Sequence, residues 1–293
     1  MKCLIITNEN TLKEEMKNNF PVSFFECYDV DSFNSHIKKI FGHSNTFDYA
    51  ICNLKTSQDK LDSVFLAQGF LISRNIPVFS DVSLGAIEDN LQYYYHYKDS
   101  KELIDLIKNN SNVLLKEAIQ RKSKLELIEK GIPVNFESFI NLLNQDDYYY
   151  LKKLIDAGFD VNYSDQTGVS LLNHAVRKNK FEAVKILLDS GANINSVSKD
   201  RGYTPLMDAV WRGNLEIVKY LLMSKADVST LSKEDETNLV IAVGANKEEL
   251  VQILISFGAD PDQKDSMEMS AWDYATLFKK DNLLKIMEPL HKA

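Results

Sequence analysis

Three cysteines, six prolines and eleven glycines are few for 293 residues, and each shortage excludes something. Cys3, Cys27 and Cys52 are an odd set lying in short apolar runs. They cannot make a disulfide framework, so buried, reduced thiols in a cytoplasmic protein are expected. No stretch rich in proline, glycine and serine marks a linker. No run approaches the roughly 18–20 apolar residues of a membrane span. The opening MKCLIIT is too short in its apolar part for a secretory signal. His36, His43, His96, His174 and His291 are scattered with no metal-ligand spacing, so neither a metal nor a cofactor is expected. Neither Gly-x-x-x-x-Gly-Lys-(Ser/Thr) nor Gly-x-Gly-x-x-Gly occurs, which leaves no nameable phosphate cradle. Basic excess is missing too: the net charge is −8, and residues 1–110 carry 11 basic against 15 acidic side chains. Nucleic-acid binding, which needs clustered Lys and Arg, is not expected.

What is present divides into two patterns. Over residues 1–110, apolar runs at 3–7, 22–28, 49–54 and 76–79, with the aromatic run 92–97, alternate with helical stretches at 11–20, 31–41 and 59–73. A helix is predicted from Ser100 to Asn109. Such alternation predicts an α/β domain, a five-stranded parallel sheet of the doubly wound, flavodoxin-like kind. With no linker after it, a fixed junction to the rest is expected. In the run Tyr93–Tyr97, alternating faces predict that Tyr94 and His96 or their neighbours are buried rather than offered to a base. Glu14, Glu15 and Asp89 read as solvated surface, and no catalytic residue is assigned.

From 111 to 293 a unit repeats. Ser170, Thr204, Thr237 and Ser270 are spaced by 34, 33 and 33 residues, the period of a stacked array. The fullest copy, Gly202 to Leu222, reads GYTPLMDAVWRGNLEIVKYLL. Thr204 is placed to cap a first helix, with Pro205 where no N–H is needed. Ala175, Ala209, Ala242 and Ala275 are small where helices must approach. A second helix carries a stripe, Ile217, Val218, Leu221 and Leu222, with Val184, Ile186, Leu187 and Leu188 one copy earlier. Glycine-led turns follow at Gly158, Gly191 and Gly258, ending helices in the left-handed region. The third copy has Lys225 there, at a cost of roughly 1 kcal/mol if its φ is positive. Thr-Pro-Leu at 204–206, the alanines, Leu-Leu at 187–188 and 221–222, and Gly-Ala-(Asn/Asp) at 191–193 and 258–260 closely resemble the ankyrin-repeat family. The resemblance covers roughly 134–290 and implies an all-α solenoid of four clear copies with degraded capping ends. One cap is expected from about Asn112. Met207 stands where the family has a histidine, which removes a turn-bracing hydrogen bond.

A second, shorter resemblance lies in the first domain. Residues 48–54 and 65–79 look like the nucleoside 2-deoxyribosyltransferase-like fold, with Gly69 and Pro77 at the family's spacing. Its glutamate nucleophile position is Ala67 here. The resemblance therefore implies a relic pocket near Asn53 and Gln68, without the covalent step, and no enzyme activity is expected.

The array offers a sharper candidate. In ankyrin architecture, residues after the core alanine and at the finger tips face the concave side. These are Arg177, Lys178, Arg201, Tyr203, Trp211, Arg212, Lys233, Glu234, Glu236 and Ala245. An exposed Trp and Tyr amid arginines has the composition of an interface hot spot. The basic-aromatic strip predicts a folded protein partner with an acidic patch, and an inhibitor or antidote of a toxin or enzyme would suit such a chain. The alternative is a nucleotide or nucleoside sensor in the first domain, with the repeats as a targeting arm. Trp272 occupies a core leucine position and is expected to be structural.

Overall fold

The computed structural model describes residues 2–7, 24–28, 49–53, 76–80, 94–98 and 100–292. It divides into two compact units, Met1–Leu125 and Glu126–Ala293.

In the first unit, β1 (Lys2–Thr7), β2 (Phe24–Tyr28), β3 (Tyr49–Asn53), β4 (Val78–Ser80) and β5 (Tyr94–His96) form one sheet. The order is β2-β1-β3-β4-β5, and every neighbouring pair is parallel. Cys3 pairs in register with Tyr49 and Ala50 with Val78. The helices expected at 11–20, 31–41 and 59–73 lie outside the described residues. Cys3, Ile5, Ile51, Phe79 and Tyr97 form a core with Leu103 and Ile107 of α1 (Ser100–Glu129). Cys3 and Cys52 are fully buried. Tyr94 and Tyr97 are buried, and Tyr95 stacks on Phe79 with ring centroids 4.7 Å apart. Tyr94, Tyr95 and Tyr97 therefore serve packing.

Helix α1 departs from the expectation that it ends at Asn109 and that a half-formed repeat begins near Asn112. The run Asn109-Asn110-Ser111-Asn112 reads as a terminator because such side chains compete for backbone partners. Here Asn110 Nδ2 donates to the Leu106 carbonyl at 2.8 Å, one turn back within the same helix. The competition is thus satisfied without breaking the helix, which runs on to Glu129.

The second unit is a stack of helix pairs, five among the described residues. They are α2 (Phe136–Gln145) with α3 (Tyr148–Asp156), α4 (Leu171–Arg177) with α5 (Phe181–Asp189), and α6 (Pro205–Arg212) with α7 (Leu215–Met223). Then follow α8 (Asn238–Gly244) with α9 (Glu248–Ser256), and α10 (Ala271–Leu277) with α11 (Asp281–Met287). First helices pack beside first helices from α4 to α10, and second beside second. The expected caps are in place. Ser170, Thr204, Thr237 and Ser270 each accept the N–H three residues on, at 3.0–3.2 Å. Ala175, Ala209, Ala242 and Ala275 are fully buried. Ile217, Val218, Leu221 and Leu222 join one core that continues from Leu127 to Met287, since no single pair can cover its own stripe.

Turns bind to turns as well. Asn162 Oδ1 accepts the Asn193 N–H at 2.8 Å, and Asn195 Oδ1 accepts the Asp227 N–H at 3.0 Å. Lys225 adopts φ +68° at the place where Gly158, Gly191 and Gly258 have φ of +99°, +90° and +86°. The strain foreseen for it is therefore present.

Candidate functional site

Counting from the cap residue of each first helix, the seventh following position lies in the last turn of that helix, beyond the core alanine. It is Arg177, Trp211, Gly244 and Leu277 in successive pairs. Core packing does not constrain it, so its side chain is free to differ between pairs.

Trp211 is 55% exposed, consistent with the sequence expectation. The Arg201 guanidinium lies 5.9 Å from its ring centroid and 6.0 Å from that of Tyr203, within cation–π range. Tyr203 itself overturns the expectation of exposure: it is only 5% exposed. Its hydroxyl donates to Glu236 Oε2 at 2.9 Å, and its ring meets Trp211 edge-on at 6.4 Å. Burial, reinforced by that carboxylate, pushes the phenol pKa well up. Tyr203 therefore supports Trp211 from beneath and offers little surface.

Arg177 is the second correction. Its Nε donates to Asp208 Oδ2 at 2.8 Å, its Nη1 to Asp200 Oδ2 at 2.7 Å, and its Nη2 to Asp200 Oδ1 at 3.1 Å. Asp208 is buried and also accepts from Asn173 Nδ2 at 2.8 Å. The guanidinium bond holds the Asp200 carboxyl well below the usual range, whereas burial raises that of Asp208. This side chain ties the α4–α5 pair to the next and is engaged internally. Lys178, Arg201, Arg212 and Lys233 are exposed.

Two grooves meet at Trp211. One, of about 440 Å³, is lined by Asp200, Arg201, Tyr203, Trp211, Lys233, Glu234 and Glu236. The other, of about 480 Å³, shares Trp211, Glu234 and Glu236 and extends over Ile241, Gly244, Ala245, Asp265, Met267, Tyr274 and Phe278. It exists because Gly244 carries no side chain at the position Trp211 fills one pair earlier; a Cβ added there meets nothing within 4 Å. Glu234, Glu236 and Ala245 were anticipated on this face. Asp265, Met267, Tyr274 and Phe278 were not, although the 33-residue offset from Arg212 to Ala245 and Phe278 is readable in the sequence. Trp272 lies elsewhere, half-buried and stacked on His291 with centroids 3.7 Å apart, which fits its structural assignment.

In the first unit, Asn53 is the last residue of β3, opposite Thr7 of β1. Ala67, Gln68 and Gly69 lie outside the described residues. Among the described residues no group of His, Cys, Asp or Glu is arranged to hold a metal ion. None of the described helices is long and apolar enough to cross a membrane.

Capped helix pairs at a 33-residue period, joined by left-handed turns and presenting one variable side-chain row, define a helical repeat solenoid. The repeats are ankyrin repeats. The ankyrin-repeat family model matches 141–232 as three copies, and a further ankyrin repeat spans 234–266. A putative ankyrin repeat-containing protein of Treponema pallidum (strain Nichols) is 28% identical over 214 residues, 73% of this chain and 68% of that protein. Palmitoyltransferase ZDHHC13 of Mus musculus is 42% identical over 55 residues, and that of Homo sapiens 38%. Those matches span 19% of this chain and 9% of the transferases.

Proposed function

We propose that the chain is a protein-binding module that holds a partner polypeptide on the concave face of its repeats, with Trp211 at the centre. The observation that carries this reading is a half-exposed tryptophan forming the wall shared by two grooves, braced by a buried tyrosine. Rigid aromatic anchors beside empty volume are where binding energy concentrates. Ankyrin repeats generally act as interaction modules, which agrees. Acidic residues of the partner would meet Lys178, Arg201, Arg212 and Lys233, and Arg177 leaves that set because its charge is neutralised internally. A role as inhibitor or antidote of a toxin or enzyme in the cytoplasm suits this reading. The α/β unit, Met1–Leu125, then acts as a companion to the repeat unit, Glu126–Ala293.

The test is capture of the native partner by tagged full-length chain from the source cells. The double variant Trp211→Ala/Arg212→Ala should keep the native circular dichroism and thermal midpoint while losing the partner. Unchanged capture rejects the site.

A second reading is favoured by the strand order, which is that of doubly wound, flavodoxin-like nucleotide-binding sheets. A nucleotide or nucleoside would then sit at the carboxyl edge, where β1 ends at Thr7 and β3 at Asn53. With alanine at 67, it would be bound and not cleaved. Nucleoside turnover above blank, abolished by Asn53→Ala or Gln68→Ala, would establish an enzyme instead.

A further inference from the structure

We propose that the groove over Gly244 seats a basic side chain, arginine or lysine, carried by an extended segment of the partner; this rests on the partner-binding reading of the concave face. The groove has aromatic walls and acidic surroundings. Trp211 and Phe278 are 55% and 56% exposed, and the Tyr274 ring lies parallel to that of Phe278 with centroids 6.2 Å apart. Glu234, Glu236 and Asp265 contribute three carboxylates to the lining, which contains no Lys or Arg. Two of these are partly occupied: Glu236 by the Tyr203 hydroxyl, and Asp265 by the Tyr274 hydroxyl at 2.7 Å and by backbone N–H groups of its own turn. Glu234 is exposed at the rim.

Charge complementarity selects the occupant. An acidic segment would face three like charges. A purely apolar one would strip water from Glu234 and return no hydrogen bond. A guanidinium or ammonium is attracted both by ring faces and by carboxylates. Arg201 already illustrates such stacking on Trp211 from within the chain. Beyond Trp211 the lining becomes mixed in sign, since Arg201 and Lys233 join Asp200, Glu234 and Glu236 around the adjoining groove. The acidic residues expected of the partner belong there, next to the basic anchor.

Random peptides displayed on phage are selected against the full-length chain, and the strongest is synthesised with a fluorescein label for anisotropy titration. Selected sequences should be enriched in Arg or Lys. The labelled peptide should bind about tenfold more weakly to Glu234→Gln and fail to bind Gly244→Leu, which fills the groove where a Cβ meets open space. Its affinity should also fall as salt rises. Enrichment of acidic or wholly apolar sequences, no enrichment at all, or wild-type binding to Gly244→Leu would each overturn the basic occupant. Loss of the native partner from the Trp211 variant alongside any of those results leaves the partner-binding surface standing, so the two readings fail separately.

Discussion

Replacing Arg177 by alanine distinguishes a structural tie from a free contact residue. The substitution removes three hydrogen bonds to carboxylates, one to Asp208 and two to Asp200, and a fourth to the Ser198 hydroxyl. Asp208 would be left with a 3% exposed carboxylate and the single donor of Asn173. Breaking a buried ion pair in this way costs about 3–5 kcal/mol. The lower end applies because Arg177 is 20% exposed and Asp208 keeps one hydrogen bond. A loss of about 3 kcal/mol near neutral pH follows. The pH dependence has a definite sign. Burial already raises the Asp208 pKa, so the native state binds that proton more tightly than the unfolded chain, and stability is lost as pH rises through the folded value. Asp200 is opposite: its depressed pKa contributes stability above the unfolded value of about 4 and loses it as pH falls through the folded one. Without Arg177 the Asp208 pKa climbs further and Asp200 is released. The deficit relative to wild type should therefore shrink between about pH 7 and about pH 5. Urea unfolding followed by circular dichroism at both pH values measures it, and Asp208→Asn in the Arg177→Ala background should recover part of the loss at pH 7. A cost below about 0.5 kcal/mol, equal at both pH values, would refute the tie and return Arg177 to the partner-facing set.

Two further substitutions probe the backbone. Lys225→Gly relieves a left-handed residue and should stabilise by about 0.5–1 kcal/mol after the greater freedom of glycine in the unfolded chain is counted, read as a rise in Tm; a fall would mean that the lysine side chain contributes more than its strain costs. Gly202→Ala combines φ +70° with a Cβ only 2.3 Å from the Lys233 backbone nitrogen, and should destabilise by about 2–4 kcal/mol. Wild-type urea sensitivity there would contradict the close finger-to-finger approach.

The caps, the core alanines and the left-handed turn at Lys225 were legible in the sequence because each is set by residues within a few positions of one another. The strands near 3–7, 24–28 and 49–53 were legible from short apolar runs for the same reason. Arg177 and Tyr203 were misread because their partners lie 23–33 residues away. Periodicity places a position on a face, but it does not say which neighbouring copy carries the carboxylate that will claim a cation. The end of α1 was misread because an asparagine side chain can either break a helix or bond back into it. The larger groove escaped notice for a different reason. It is created by a missing side chain at Gly244, and sequence inspection is drawn to large residues rather than to a gap beside one.

The row Arg177, Trp211, Gly244, Leu277 behaves like the interchangeable bits of a screwdriver on a fixed handle. Trp211, Gly244 and Leu277 can be exchanged without disturbing the handle, because caps, alanines and turns elsewhere in the pair hold the scaffold together. Descendants of this chain could thus acquire new binding preferences through single changes on that row, with Arg177 the costliest to replace because it alone also fastens two rungs together.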